Sequence, residues 1–210
     1  AGVVVSDGFT VTKTDSNGIY EIPYNNKATF IFYTTPSQYE IARAKDGYPL
    51  FYKSIAEGSN FDFTLGQSIA KQDEWHLYVM ADPQTNQTGK LCIPYFSNYI
   101  ATDIKAMVER DGFNSAKDWN SGKLAYGMVG DVIWNSATES YMGSMKSAMA
   151  PEKTRVSWFT VPGNHDWYSS DSDKNPNLNC YHKIFGPSVY SFDRGDVHIV
   201  GMNNVITGAG

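Results

Sequence analysis

The chain has 210 residues, 41% of them hydrophobic, which is enough for one large packed unit or two small ones. Lys and Arg number 17 against 22 Asp and Glu, a formal net charge of −5, and no basic cluster stands out, which argues against a general electrostatic footprint for nucleic acid. No apolar run approaches the roughly 18 residues of a membrane span. The two cysteines, Cys92 and Cys180, lack the CxxC spacing of a thiol zinc or redox motif; they read as two buried free thiols or as one disulfide suited to an oxidising compartment.

From residue 3 to about 65 the pattern is all-β. Short apolar runs at 9–13, 19–22, 29–34 and 61–65 are separated by the turn clusters Ser6-Asp7-Gly8, Asp15-Ser16-Asn17-Gly18 and Tyr24-Asn25-Asn26-Lys27. Six or seven short strands in this length predict a small β-sandwich. Phe30 and Phe32 share one face of their strand and Ile31 and Tyr33 the other, as core packing requires. The same wealth of rings, with Tyr39, Tyr48, Phe51 and Tyr52, leaves a glycan-binding face open as the alternative.

Residues 68–74 are polar and read as a linker, which divides the chain into units 1–70 and 71–210. A strand at 76–81 delivers Asp82, and 90–97 reads as a loop. Ile100, Ile104, Met107 and Val108 fall at helical spacing within 99–110, with Asp111-Gly112 as the stop. A strand at 123–129 leads to Gly130-Asp131. Tyr141, Met145 and Met149 mark one face of a helix over 140–150 that Pro151 ends, and those methionines read as core filler. The run 155–161 is a third strand, stopped by Pro162-Gly163. After the Ser/Asp/Asn-rich loop 169–179 comes a hairpin, 189–192 and 197–202, around Asp193-Arg194-Gly195-Asp196. His76 and His182 read as structural or solvent-facing, and His198, inside an apolar strand, as a core imidazole.

Three of these strands end in side chains that can hold a metal: Asp82-Pro83-Gln84, Gly130-Asp131 and Gly163-Asn164-His165-Asp166. The carboxyl ends of strands are where open α/β sheets put their chemistry. Singly, each Asp is equally an ordinary loop or N-cap residue, and His165 alone would be structural. In this order, with gaps long enough for a crossover helix and a return strand, they resemble the calcineurin-like metallophosphoesterases over about the last two thirds of the chain. At the front, Val5-Ser6-Asp7-Gly8 and Thr14-Asp15-Ser16-Asn17-Gly18-Ile19-Tyr20 resemble the carboxypeptidase-regulatory-like (transthyretin-like) β-sandwich that some members of the family carry before the catalytic domain.

The resemblance implies a β-sandwich N-terminal domain followed by an α/β metallophosphoesterase domain, here an incomplete αββα sandwich. It implies two divalent metal ions, Mn, Fe or Zn, that activate a hydroxide to cleave a small phosphorylated substrate or phosphodiester. Asp131 would bridge the metals, Asp82 and Gln84 would bind the first, Asn164 the second, and His165 would protonate the leaving group, with Asp166 orienting the loop. The acidic balance predicts no nucleic-acid partner, and the resemblance implies, by analogy with exported bacterial proteins of this arrangement, a periplasmic, cell-surface or secreted location.

The pattern departs from the family in three places. Gln84 stands where the first motif usually has His, and its amide binds transition metals more weakly than imidazole does. Trp134 stands where phosphoprotein phosphatases carry an Asp that supports the histidine. The later histidines that complete the two-metal site are not among the 210 residues, so the resemblance implies a fragment with little activity of its own. A noncatalytic glycan- or surface-binding protein on a degenerate phosphoesterase scaffold is the alternative reading.

Overall fold

The computed structural model describes residues 1–58, 60–67, 75–85, 92–112, 124–134, 138–167 and 177–205. It is an α/β protein with parallel and antiparallel sheets and few helices. In the front part, β1 (Val4–Ser6), β2 (Val11–Lys13), β3 (Phe30–Tyr33) and β4 (Tyr52–Ser54) form one antiparallel sheet in the order β2-β1-β3-β4. The turn after β1 is built by Asp7, whose Oδ1 accepts the N–H of Phe9 and Thr10 at 2.9 and 2.6 Å. Of the six or seven strands expected here, four form among the described residues. The segments 19–22 and 61–65 stay outside the ladder; the Tyr20 hydroxyl donates to the Phe61 carbonyl at 2.7 Å, so a side chain joins them instead.

Later in the chain come three parallel strands, β5 (Trp75–Ala81), β6 (Leu124–Gly130) and β7 (Ser157–Val161), in the order β5-β6-β7. The register pairs Ala81 with Gly130 and Gly130 with Val161, so all three strands end at one level and release their loops side by side. Close approach is written into β6. Gly127 pairs with Trp158, and a Cβ on Gly127 would overlap the indole, so only glycine lets that ring lie across the sheet.

The crossover from β5 runs through α1 (Ile93–Tyr95), a π-helical turn at Phe96–Ile100, and α2 (Ala101–Arg110). The expected loop at 90–97 therefore gives way to helix from Ile93 onward. The buried stripe of α2 runs through Ala101, Ile104 and Val108, three and four residues apart. Ala101 and Val108 are buried and Ile104 is partly so, while Ile100 and Met107, expected on the inner face, are exposed. In α3 (Glu139–Ala148), Thr138 caps the N-terminus by accepting the Tyr141 N–H at 3.3 Å. Tyr141, Met142 and Met145 are buried there, with Met149 just beyond. Pro151, expected as a stop, opens the short α4 (Pro151–Thr154), because proline suits the first helical turn, where its missing N–H has no partner to lose.

After α5 (Asn179–Phe185), β8 (Tyr190–Arg194) and β9 (Val197–Gly201) form an antiparallel hairpin. Phe192 bridges to Thr35 of the front part, and the Asp193 N–H donates to the Thr35 carbonyl at 2.9 Å. One apolar cluster accordingly draws on both stretches, joining Val5, Ile31 and Phe51 to Phe159, Tyr190 and Phe192. The boundary expected near residue 70 falls in 68–74, outside the described residues. His198 is corrected from core to surface. Ile199 and Gly201 face inward, so the alternation turns His198 out, where its Nδ1 lies 2.5 Å from Asp193 Oδ1. Cys92 and Cys180 are free thiols, both half-buried. Among the described residues no helix is long and apolar enough to cross a membrane.

Candidate metal centre

The level strand ends bring the first two motifs together before any side chain acts. The Asp82 N–H donates to the Gly130 carbonyl and the Gln84 N–H to the Asp131 carbonyl, both at 3.2 Å, and Thr85 then bridges to Ile133. Asp82, Gln84 and Asp131 all turn through left-handed backbone, with φ of 50°, 37° and 52°. For residues other than glycine this costs about 1–2 kcal/mol each. Such strain persists where the surroundings impose it, typically at functional sites.

The side chains converge on one point. Gln84 Nε2 donates to Asp131 Oδ2 at 2.7 Å and to Asp82 Oδ1 at 3.1 Å. The other Asp131 oxygen, Oδ1, accepts the His165 backbone N–H at 2.8 Å, and the residue is almost fully buried. Gly163 lies flush against this carboxylate, and a Cβ there would overlap its Oδ1 and Cγ atoms. The glycine of the third motif is thus required by contact, so that the loop after β7 can close over Asp131.

Two carboxylates aimed at one point require positive charge or N–H donors between them. The Gln84 amide nitrogen supplies the donors, and half a turn about Cγ–Cδ would present Oε1 in its place, an oxygen that can ligate a cation. Asn164, exposed on the 3-10 turn Asn164–Asp166, lines the same open cleft of about 440 Å³ as Asp82, Asp131 and Gly163. The donor set therefore fits a divalent cation: two carboxylates and two amides, all hard oxygen ligands. Among the described residues no three His, Cys, Asp or Glu side chains converge in one place.

Asp166 fastens the loops to each other. It is fully buried; Oδ1 accepts the N–H of Val132 and Ile133 at 3.1 and 3.2 Å, and Oδ2 accepts the N–H of Val132 and Gly163 at 3.1 and 3.0 Å. Its carboxyl is pushed up to about 6, chiefly by burial; those N–H donors oppose the rise and the nearby Asp131 charge adds to it. The loops after β6 and β7 thereby become one rigid mount.

The His165 ring takes a different course from its backbone. It stacks on Trp134, with centroids 4.5 Å apart and planes at 21°. Gln84 thus touches both Asp82 and Asp131, Asn164 lines the same cleft as the two carboxylates, and His165 reaches Asp131 through its N–H. Sequence reasoning missed Asn204 and Val205, which also line the cleft. The signal was a fourth strand, β9, closing on Asn203-Asn204.

Residues 1–68 match the family model described as "N terminal of Calcineurin-like phosphoesterase". For that front part the match supports the family that the later motifs resemble. No curated protein and no solved structure is matched by the chain.

Proposed function

We propose that the protein is a metal-dependent phosphoester hydrolase of calcineurin-like type, acting on phosphomonoesters or phosphodiesters. The observation that carries this reading is the single point at which Asp82, Gln84 and Asp131 meet, beside Asn164 and His165. Residues 1–68, which match the family's N-terminal region, support the reading as a β-rich part standing before the catalytic one.

Asp131 would be the shared ligand, with Asp82 and Gln84 beside it on one cation and Asn164 serving a second. Oxygen donors of this kind favour a hard ion such as Mn among the candidates Mn, Fe and Zn. Bound divalent cations would supply Lewis acidity, cancelling charge on the phosphoryl oxygens and making water more acidic. Asp166 keeps the two loops in register while Gly163 leaves Asp131 room. His165, next to Asn164, delivers a proton from its ring to the departing oxygen, a task that suits an imidazole at neutral pH.

The test uses the full-length gene product with Mn. Hydrolysis of para-nitrophenyl phosphate or its bis ester is expected, and Asp131→Asn abolishes it while the thermal transition survives. Unchanged turnover in that variant removes Asp131 from the mechanism. Under this reading the protein acts in the periplasm, at the cell surface or outside the cell.

A second reading, a noncatalytic glycan- or surface-binding protein, draws on two observations. The Gln84 amide already satisfies both carboxylates, and Tyr20, Tyr33, Tyr39, Phe61 and Phe63 line a groove of about 1200 Å³ in the front part. Calorimetry with Mn or Zn separates the two, because a binder has no need of the cation.

A further inference from the structure

Trp134 occupies the position where a carboxylate supports the histidine in the phosphoprotein phosphatases, and it meets the same partner by other means. Trp134 is 40% exposed, yet one face of its ring is given over to the His165 imidazole in near-parallel contact. Both ends of the stack stand on fixed backbone. The Trp134 N–H donates to the Thr85 carbonyl at 3.0 Å, and the Tyr141 hydroxyl binds that carbonyl from α3. The His165 N–H is held by Asp131. Among the described residues the imidazole ring itself has no hydrogen-bond partner, so the indole is what restricts its tilt.

We propose that Trp134 is a positioning residue for His165, fixing the plane of the imidazole so that the site favours esters whose leaving alkoxide must be protonated as it departs. This rests on the phosphoester-hydrolase reading above. A stacked indole constrains the ring plane and leaves both ring nitrogens available in that plane. A supporting carboxylate would occupy one of them. As a water oxygen bonds to phosphorus and the ester P–O bond breaks, the departing oxygen takes a proton from the His165 ring; the attacking water gives up its own proton to solvent, and the ring regains one from there. An aryl ester such as para-nitrophenyl phosphate leaves as a stabilised anion and needs no such proton, so it bypasses the stack.

The experiment compares full-length wild type, Trp134→Leu and Trp134→Phe on ethyl phosphate and para-nitrophenyl phosphate, with the His165 ring resonances read by NMR. In Trp134→Leu, kcat on the ethyl ester falls roughly tenfold, the size expected for loss of one aromatic contact, while the aryl ester changes less than about twofold. Trp134→Phe restores most of the loss. In wild type the His165 ring protons are shifted upfield by the indole, and that shift vanishes in Trp134→Leu. Equal losses on both esters, or unshifted His165 resonances in wild type, overturn the proposal and leave the hydrolase reading intact. Failure of wild type to cleave either ester overturns both.

Discussion

Gly163 and Asp131 touch so closely that the glycine's missing Cβ is what leaves room for the carboxylate. Gly163→Ala is therefore expected to push Asp131 off its point of convergence. It should cost about 1–3 kcal/mol, as overpacking does, and should weaken Mn binding more than it weakens the fold. Thermal unfolding alongside a Mn titration checks this; an alanine variant with wild-type affinity would mean that the loop yields and the contact constrains nothing.

Asp166 joins the same two loops from beneath. Asp166→Ala leaves the N–H groups of Val132, Ile133 and Gly163 buried without acceptors. At about 1–3 kcal/mol for each orphaned group, partly relieved by entering water, we expect a loss of about 3 kcal/mol or more. Chemical denaturation measures it, and a loss below 1 kcal/mol would contradict the clamp.

Gln84 is the residue by which this centre differs from the usual first motif. Gln84→His should raise affinity for zinc about tenfold, since imidazole is the better ligand for that ion, while also removing the N–H donors that Asp82 and Asp131 now share. Isothermal titration with zinc reads the change directly. No gain would place residue 84 outside the coordination sphere.

Much of this arrangement was legible in advance, because β5, β6 and β7 are short apolar runs that each end in a stop signal and a polar motif. Parallel strands so punctuated have few ways to pair, and the level ends follow. Contacts made by absent atoms were not legible: neither the fit of Gly163 on Asp131 nor that of Gly127 under Trp158 leaves a pattern in the sequence. The π turn at Phe96–Ile100 was equally hidden. Ile100, Ile104, Met107 and Val108 suit one helix face, but the covered stripe runs through Ala101, Ile104 and Val108 and leaves Ile100 and Met107 at its exposed margin. His198 misled because an apolar strand on a hairpin buries only alternate residues. In the front part, Ile19 and Phe61 lie in segments with strand composition but no ladder partner among the described residues, and composition cannot supply one.

Acid should destabilise the protein partly through His182. It packs edge-on against Phe30, with centroids 5.5 Å apart, lies 3.3 Å from the Ser188 hydroxyl, and is held below its ordinary pKa by burial. The fold prefers the neutral ring, so the contribution of His182 is fully present above the unfolded-state value near 6.5 and is lost as pH falls below it. Urea midpoints at pH 7.5 and 5.5 should differ less for His182→Asn than for wild type. Parallel behaviour of the two proteins would remove His182 from the pH response.

The central claim is that Asp82, Gln84, Asp131 and Asn164 hold a divalent cation at the strand ends, and Mn titration followed by electron paramagnetic resonance tests it most directly. Wild type is expected to bind Mn saturably, and Asp131→Asn to reduce that binding at least about tenfold, as loss of a buried charged ligand should. Equal binding by the two proteins, or none by wild type, would contradict it.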